Sequence, residues 1–150
     1  WLGWQLPIIT KGNYNSSRII KIQKTKIINY LKKGGVPIVA GFQGVNSDLR
    51  ITTLERGGSD TSAILCAKFF NAEKCIIYTD VEGVFTTDPN LTKAAKKIDK
   101  ISYEEMLEMA SLGAKVMQPA SIQEARLNRI EVDVRSTFSK KLGTTITKKI

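Results

Sequence analysis

Short apolar segments alternate with helical segments along this chain, and this alternation restricts its fold more than any other feature. Residues 36–42 and 75–79 are continuous apolar runs of strand length, a pattern typical of strands that are covered on both faces. Residues 24–33 and 61–70 have the spacing of helices. Strands that alternate with helices form parallel sheets with helices on their faces. The sequence therefore predicts an α/β fold with a mostly parallel sheet sandwiched by helices.

The remaining segments fit one domain of about this length. Residues 18–22 predict a short strand, and residues 130–136 predict another strand before a turn at Gly143. Ser102 and Glu105 form the sequence pattern of a capping box, so a helix begins there and ends near Gly113. A further helix is predicted over residues 116–128. No apolar run approaches the ~20 residues that span a bilayer, so we expect no membrane partner.

The chain contains no histidine, which excludes Ser-His-Asp and Cys-His catalysis and disfavours zinc. Its two cysteines, Cys66 and Cys75, lack metal-ligand or redox spacing, and we interpret them as small buried groups in a reducing cytoplasm. Any chemistry must then use backbone amides, carboxylates, hydroxyls, lysines and arginines.

The formal charge of +9 raises the alternative of a basic binding module for nucleic acid. The lysines lie in short, scattered pairs without interleaved aromatic residues for base stacking. We therefore expect no nucleic-acid partner, and we assign part of the positive charge to the handling of phosphate groups.

The first candidate site is a glycine turn that leads into a helix. Two glycines permit close approach of a ligand, and the start of a helix offers unpaired amide donors to an anion. Arg56 can pair with a carboxylate, and Asp60 can accept from an ammonium group. An amino acid suits this turn better than a bare phosphate, although an ordinary turn with a helix cap remains the alternative.

The second candidate site follows the predicted strand 75–79. Thr79 and Asp80 place a hydroxyl and a carboxylate at the end of that strand, where α/β folds bind ligands. Phe85 could flank a base, and the turn after it could wrap the nucleotide. Lys115, just past a helix break, could meet a phosphate as a point charge. Here the alternatives are an ordinary Asp-Pro turn and a solvated lysine.

Several segments in the correct order closely resemble the aspartate kinases of the amino acid kinase superfamily. They are residues 39–44, 51–54, 56–61, 78–89 and 102–116, and the likeness extends over nearly the whole chain. The loop 79–89 resembles the wider superfamily, including glutamate, acetylglutamate and uridylate kinases. Residues 56–61 and 102–115 resemble aspartate kinases in particular.

The resemblance implies roles for individual residues. The implied aspartate-binding residues are Arg56, Gly57, Gly58, Ser59 and Asp60. The implied ATP-binding residues are Thr79, Asp80, Phe85, Thr86, Thr87, Asp88, Pro89, Asn90 and Lys115. The implied reaction is transfer of the γ-phosphoryl group of ATP, with Mg²⁺, to the side chain of L-aspartate, the first step towards lysine, threonine and methionine. Such chemistry rests on positioning and charge neutralisation.

The sequence departs from the family's pattern in several ways. The Lys-x-Gly-Gly strand, whose lysine meets the transferred phosphate, has no counterpart here, so we assign no catalytic residue and no metal ligand. Glu55, Asn90 and Ala120 stand where the family usually has glycine, arginine and arginine. We expect residues 1–150 to be a partial catalytic domain without its regulatory domains, incompetent alone and completed by a separately encoded amino-terminal fragment. A non-catalytic remnant of a decayed gene is the alternative, and a homo-oligomer remains open.

Overall fold

Two mixed four-stranded sheets, one in each of two units, organise the chain. The computed structural model describes residues 1–148. The units are Trp1–Ala72 and Glu73–Ile150. No helix within the described residues is long and apolar enough to cross a membrane.

The first unit contains four strands and two helices. They are β1 (Ile8–Asn13), β2 (Ser16–Ile22), α1 (Thr25–Lys32), β3 (Gln43–Val45), β4 (Ile51–Thr53) and α2 (Gly58–Phe70). The strand order is β2-β1-β3-β4. The β1–β2 and β3–β4 pairs are antiparallel, and the β1–β3 pair is parallel. Leu6, Ile8, Ile22 and Ile27 form a buried cluster against which Phe69 and Phe70 of α2 pack, so α2 is anchored at its carboxyl end by apolar burial.

The predicted strand over residues 36–42 is wrong. The segment lies in no sheet of the described residues, and β3 begins only at Gln43. Pro37 lacks the N–H that a central strand donates. Nearby backbone groups bond to Trp1 instead, because the Trp1 nitrogen donates to the Ile38 carbonyl and Ala40 N–H donates to the Trp1 carbonyl. Val36 and Ile38 are 81% and 82% exposed, so the apolar run is not covered on both faces.

Up to residue 148, the second unit also contains four strands and two helices. They are β5 (Cys75–Thr79), β6 (Lys100–Ser102), α3 (Tyr103–Ser111), α4 (Pro119–Asn128), β7 (Val132–Ser136) and β8 (Thr144–Thr147). The strand order is β5-β7-β8-β6. The β5–β7 and β6–β8 pairs are parallel, and the β7–β8 pair is antiparallel. Because β5 and β7 are parallel neighbours, their carboxyl ends meet at one edge of this sheet.

The helices of the second unit begin where their sequences supply a start signal. Ser102 caps α3 by accepting from Glu105 N–H, and the Glu105 side chain accepts from Ser102 N–H, so the predicted capping box is confirmed. The α4 helix begins at Pro119 and not at residue 116, because proline suits the first turn of a helix, where its missing N–H needs no partner.

Asp133 of β7 is a buried carboxylate with a full set of partners. Thr145 donates to it at 2.7 Å, and Lys74 and Arg135 pair with it at 3.0 and 2.6 Å. Burial by itself would raise the pKa of Asp133, but these donors outweigh burial and hold the pKa below its usual value. Removal of one of these partners would leave a buried charge uncompensated, which is strongly destabilising.

The predicted α/β class is confirmed, while the strand directions are more varied than a mostly parallel sheet. Among the described strands, three pairs are parallel and three are antiparallel. The short turns after Asn13 and Val45, and the loop that ends at Gly143, return the chain alongside the preceding strand, and a connection without a crossover helix makes neighbours antiparallel.

Candidate functional site

The glycine turn before α2 presents an open helix start. Gly57 has a φ of 78°, in the left-handed region that glycine adopts without strain. No side chain caps the helix. Gly58 N–H donates to Glu55 and Thr61 N–H donates to Gly57, which leaves the amides of Ser59 and Asp60 as the outward donors of the first turn. Uncapped amides and the positive end of the helix dipole together favour an anion such as a carboxylate.

A second segment packs closely against this turn. A Cβ added to Gly58 would lie 2.6 Å from Leu54 Cβ and 2.8 Å from Phe42 Cδ2. Phe42 has a φ of 66°, which is strained for a residue with a side chain. Its backbone is held in place because Phe42 N–H donates to Ser62 Oγ at 3.0 Å and Leu54 N–H donates to the Phe42 carbonyl. The local backbone is therefore fixed on both sides of Gly58.

Asp60 and Arg56 supply opposite charges at the turn. Asp60 is half-buried in the first turn of α2, and burial raises the pKa of its carboxyl above the usual value. A desolvated carboxylate gains most from a cation brought to it. Arg56 is exposed immediately before Gly57, so its guanidinium is accessible to a carboxylate. The structure brings these contiguous residues into one turn with donors for an anion and an acceptor for a cation.

An open depression of about 500 Å³ lies beside Trp1, Gln5 and Lys26. These three described residues supply no carboxylate, so they offer no acceptor for the ammonium group of a zwitterion. We assign the amino-acid site to the turn before α2 on the basis of that charge complementarity.

The second candidate site begins at the carboxyl end of β5. Thr79 Oγ1 donates to Asp80 Oδ1 at 3.0 Å, and Asp80 is exposed. Thr79 is in register with Ser136 of β7, and Thr137 N–H donates to the Thr79 carbonyl at 2.8 Å. Two neighbouring parallel strands therefore end together and present hydroxyls and a carboxylate, the usual ligand position in α/β folds.

The loop from Phe85 to Asn90 leaves the sheet as a short ribbon. Phe85 forms a β-bridge with Lys97, and Thr86 bonds to Lys96 through both its N–H and its hydroxyl. Asp88 turns the chain, because its Oδ1 accepts from Asn90 N–H at 2.8 Å. Phe85 is half-buried, and the rest of the loop is exposed: Thr86, Thr87, Asp88, Pro89 and Asn90. The exposed tip is free to meet a ligand.

Lys115 lies apart from that loop along the chain, in the connection between α3 and α4, and it is exposed. No described bond joins it to Asp80 or to the Phe85–Asn90 loop. Its part in ATP binding stays a prediction, as do the ligand roles of the other predicted residues.

Three supporting residues were not found from the sequence. Phe42 and Ser62 brace the glycine turn, and Thr144 bonds to both ends of the loop that contains Phe85. Gly41-Phe42 lies within a stretch that resembles the family, which was the one signal for Phe42. Thr144 also lies in a stretch that resembles the family, but its bonds to Val84 and Ile98, like the bond from Phe42 N–H to Ser62, join distant residues and had no signal in the sequence.

The described residues hold no cluster of three or more Cys, Asp or Glu side chains that could form a metal cage. Mg²⁺ binds mainly to substrate phosphates with one or two carboxylates and several waters. The exposed Asp80 carboxylate fits that limited protein contribution through a metal-bound water.

Comparison with known proteins assigns this chain to a protein family. Residues 4–136 match the model of the amino acid kinase family. The chain is 48% identical to the aspartokinase of Geobacillus stearothermophilus over 99% of its length and 47% identical to aspartokinase 2 of Bacillus subtilis over 97%. It spans only about a third, 36%, of the length of each of these relatives.

Solved structures agree with the sequence comparison. Escherichia coli aspartokinase III in complex with aspartate and ADP matches the whole chain at 34% identity and a TM-score of 0.88, with 34% of that protein covered. The same enzyme in complex with lysine and aspartate gives a TM-score of 0.85, with 35% covered. The UMP kinase of Bacillus anthracis, at 22% identity and a TM-score of 0.66 over 85% of the chain and 52% of that protein, shares the fold. On the family match over residues 4–136, this chain is a member of the amino acid kinase family.

Proposed function

We propose that this chain is the part of an aspartate kinase that holds L-aspartate and ATP. The reaction is the transfer of the γ-phosphoryl group of ATP to the side-chain carboxylate of L-aspartate, which gives 4-phospho-L-aspartate and ADP. In a cell this would be a cytoplasmic first step towards lysine, threonine and methionine. Mg²⁺ would enter with the ATP phosphates and neutralise their charge.

The observation that carries this proposal is the turn Arg56–Asp60. A half-buried carboxylate with a raised pKa, an accessible guanidinium and two outward helix amides match the ammonium and carboxylate groups of an amino acid. Arg56 would pair with a carboxylate of L-aspartate, and Asp60 would accept from its ammonium group. The uncapped amides of Ser59 and Asp60 would add donors to an anionic oxygen.

The ATP site is proposed for the loops after β5. Asp80 would orient a ribose hydroxyl, an adenine amine or a magnesium-bound water, and Phe85 would flank the base. The exposed tip, residues 86–90, would wrap the nucleotide, with Lys115 as a point charge towards a phosphate. Two comparisons support this site. E. coli aspartokinase III, which matches the whole chain, was solved in complex with aspartate and ADP. One aspartokinase is 49% identical to this chain.

Catalysis would depend on positioning and charge neutralisation. Asp60 and Arg56 would fix the orientation of L-aspartate, so that its side-chain carboxylate oxygen can attack the γ-phosphorus. The bond between that phosphorus and the β,γ-bridging oxygen would break, and ADP would leave with the electron pair. No proton transfer at the acceptor is required, because the attacking carboxylate is already ionised at neutral pH.

The 150-residue chain alone is expected to show no aspartate-dependent consumption of ATP. It corresponds to about a third of the aspartokinases that it matches, and its strand-like segment with Val36 and Ile38 is largely exposed. Turnover would therefore require a polypeptide, or a pair of fragments, with the remaining segments of the family. A decayed, non-catalytic remnant is the competing proposal, and the cation missing at Asn90 favours it.

The test is formation of 4-phosphoaspartate, trapped with hydroxylamine as aspartyl hydroxamate, by the polypeptide that carries this chain. The unsubstituted protein should form hydroxamate only with both L-aspartate and ATP present. Arg56→Lys should raise the KM for L-aspartate roughly tenfold, because the guanidinium fork is lost while the charge is kept. Arg50→Lys, at an exposed arginine over the Tyr14 ring, is the matched control and should leave KM unchanged. Tight binding of both ligands without hydroxamate would favour the remnant.

A further inference from the structure

A buried hydroxyl at the start of β8 bridges both ends of the proposed nucleotide loop. Thr144 is 1% exposed. Its Oγ1 accepts from Val84 N–H at 2.8 Å and donates to the Ile98 carbonyl at 2.5 Å. Ile98 N–H in turn donates to the Val84 carbonyl at 2.8 Å. Val84 precedes Phe85 directly, so one side chain closes the base of the loop that contains residues 85–97.

The backbone around Thr144 is built for this close approach. Gly83 has a φ of 143°, and a Cβ added there would lie 2.6 Å from Thr144 Oγ1. Val84 is 1% exposed, so a Val84 N–H that lost Thr144 would be a buried donor without a partner, which is costly. The hydrogen bond from Val84 N–H to Thr144 therefore holds the base of the loop in place.

Lys97 makes a second tie between the same loop and the segment before β8. Its Nζ donates to the carbonyls of Leu142 and Gly143 at 2.6 and 3.2 Å and pairs with Asp99 at 3.1 Å. Lys97 is also the β-bridge partner of Phe85. The far side of the loop is thus held next to the residue proposed to flank the base.

We propose that Thr144 is a positioning residue for ATP, an inference that rests on the proposed nucleotide site. Its side chain is buried, so it acts through the backbone at Val84 and Ile98 and not through contact with the nucleotide. By closing the base of the loop it sets the direction of Phe85 and of the exposed tip, residues 86–90. A loop ordered in advance binds its ligand without the entropy cost of ordering it.

The neighbouring residue offers a matched control. Thr145 Oγ1 donates to the buried Asp133 carboxylate at 2.7 Å, so Thr145→Val also removes a hydroxyl hydrogen bond from β8. That bond holds the sheet and does not touch the loop. A general loss of stability should affect Thr144→Val and Thr145→Val alike, whereas loss of loop position should affect only Thr144→Val.

The experiment measures the dissociation constants of ATP and L-aspartate and the melting temperature for the polypeptide that carries this chain. Thr144→Val should weaken ATP binding roughly tenfold, as expected for one lost buried hydrogen bond, and should leave L-aspartate binding unchanged. Thr144→Ser, which keeps the hydroxyl, should restore ATP binding. Thr145→Val should lower the melting temperature and leave ATP binding unchanged.

Equal ATP affinity in Thr144→Val and the unsubstituted protein would overturn the positioning role, as would a parallel weakening of both ligands. If the unsubstituted protein does not bind ATP, the proposed nucleotide site fails first, and the two failures are thereby distinguished. Should Thr144→Val not fold, Lys97→Met replaces it, with Lys96→Met at an exposed neighbour as its control. Weaker ATP binding only in Lys97→Met supports the positioning of the loop by the segment that contains Thr144. Equal ATP binding in the two variants overturns it.

Discussion

The protonation of Asp60 affects the stability of the fold. Burial raises the pKa of its carboxyl, so the folded state holds a proton more tightly there than the unfolded state does. Stability from this group is consequently present at low pH and is lost as pH rises through the raised pKa. At neutral pH the ionised carboxylate costs stability, a cost that binding an ammonium group would offset.

Replacing that carboxylate should therefore separate binding from stability. Asp60→Asn is expected to weaken L-aspartate binding roughly ten- to a hundredfold, because a charge-assisted bond is lost, while the melting temperature at pH 7 stays equal or rises. Titration calorimetry and thermal unfolding measure the two effects. Asp48→Asn, in an exposed turn, is the control and should change neither. A large fall in melting temperature for Asp60→Asn would show that Asp60 is structural.

The α3 helix depends on the two partners of its capping box. Ser102→Ala should lower the free energy of unfolding by about 1 kcal/mol, because Glu105 N–H loses its acceptor. Ser111→Ala is the control within the same helix, since its exposed hydroxyl only bonds back to the Leu107 carbonyl. Chemical denaturation of both variants measures the difference, and equal stabilities would contradict a stabilising cap.

The same cap gives a pH dependence with a definite sign. Hydrogen bonds from the Ser102 backbone and side chain lower the pKa of Glu105. A lowered carboxyl pKa contributes stability above the unfolded value, and that contribution disappears as pH falls through the folded value. The difference in stability between the unsubstituted protein and Ser102→Ala should accordingly shrink on acidification.

At the scale of elements, the sequence was sufficient to predict those helices and strands that are determined by neighbouring residues. The α1, α2 and α3 helices, the β2 strand and the β5 strand were all predicted, because caps, glycines and apolar runs act over a few residues. The strand β1 and the short strands β3, β4, β6 and β8 were missed. Three or four residues carry little periodicity, and the pairing of β6 with β8 joins Lys100 to the distant Thr145. The predicted strand over residues 36–42 was wrong because an apolar run does not ensure a pairing partner. This run finds no strand partner within the described residues.

In the candidate site too, local features could be predicted and long-range contacts could not. Its sequence-local part, the turn Arg56–Asp60 and the loop after Thr79, could be predicted because glycines, charges and resemblance mark it. The bracing of that part could not, because Phe42 reaches Ser62 and Thr144 reaches Val84 only through the fold. Hydrogen bonds between residues 20 and 60 positions apart leave no pattern in a single sequence.

Over the whole molecule, the excess of positive charge is consistent with the proposed nucleotide site. A formal charge of +9 attracts anions such as ATP over distances of about a Debye length, ~8 Å at physiological salt. If the charge acts as a general field, raising the salt concentration should weaken ATP binding by the same factor in the unsubstituted protein and in variants of single exposed lysines. If Lys115 contacts a phosphate, Lys115→Met should reduce the salt dependence itself, and Lys93→Met, an exposed control, should not.

The central claim is that one chain offers an amino-acid site before α2 and a nucleotide site after β5. Residue-resolved NMR of the polypeptide that carries this chain tests it most directly, with L-aspartate and ATP–Mg²⁺ added separately. The central claim predicts that L-aspartate shifts the amide signals of Gly57–Asp60 and that ATP–Mg²⁺ shifts those of Thr79, Asp80, residues 85–88 and Asn90. Saturating ligand that leaves both groups of signals unchanged, or that shifts only signals elsewhere, would contradict it.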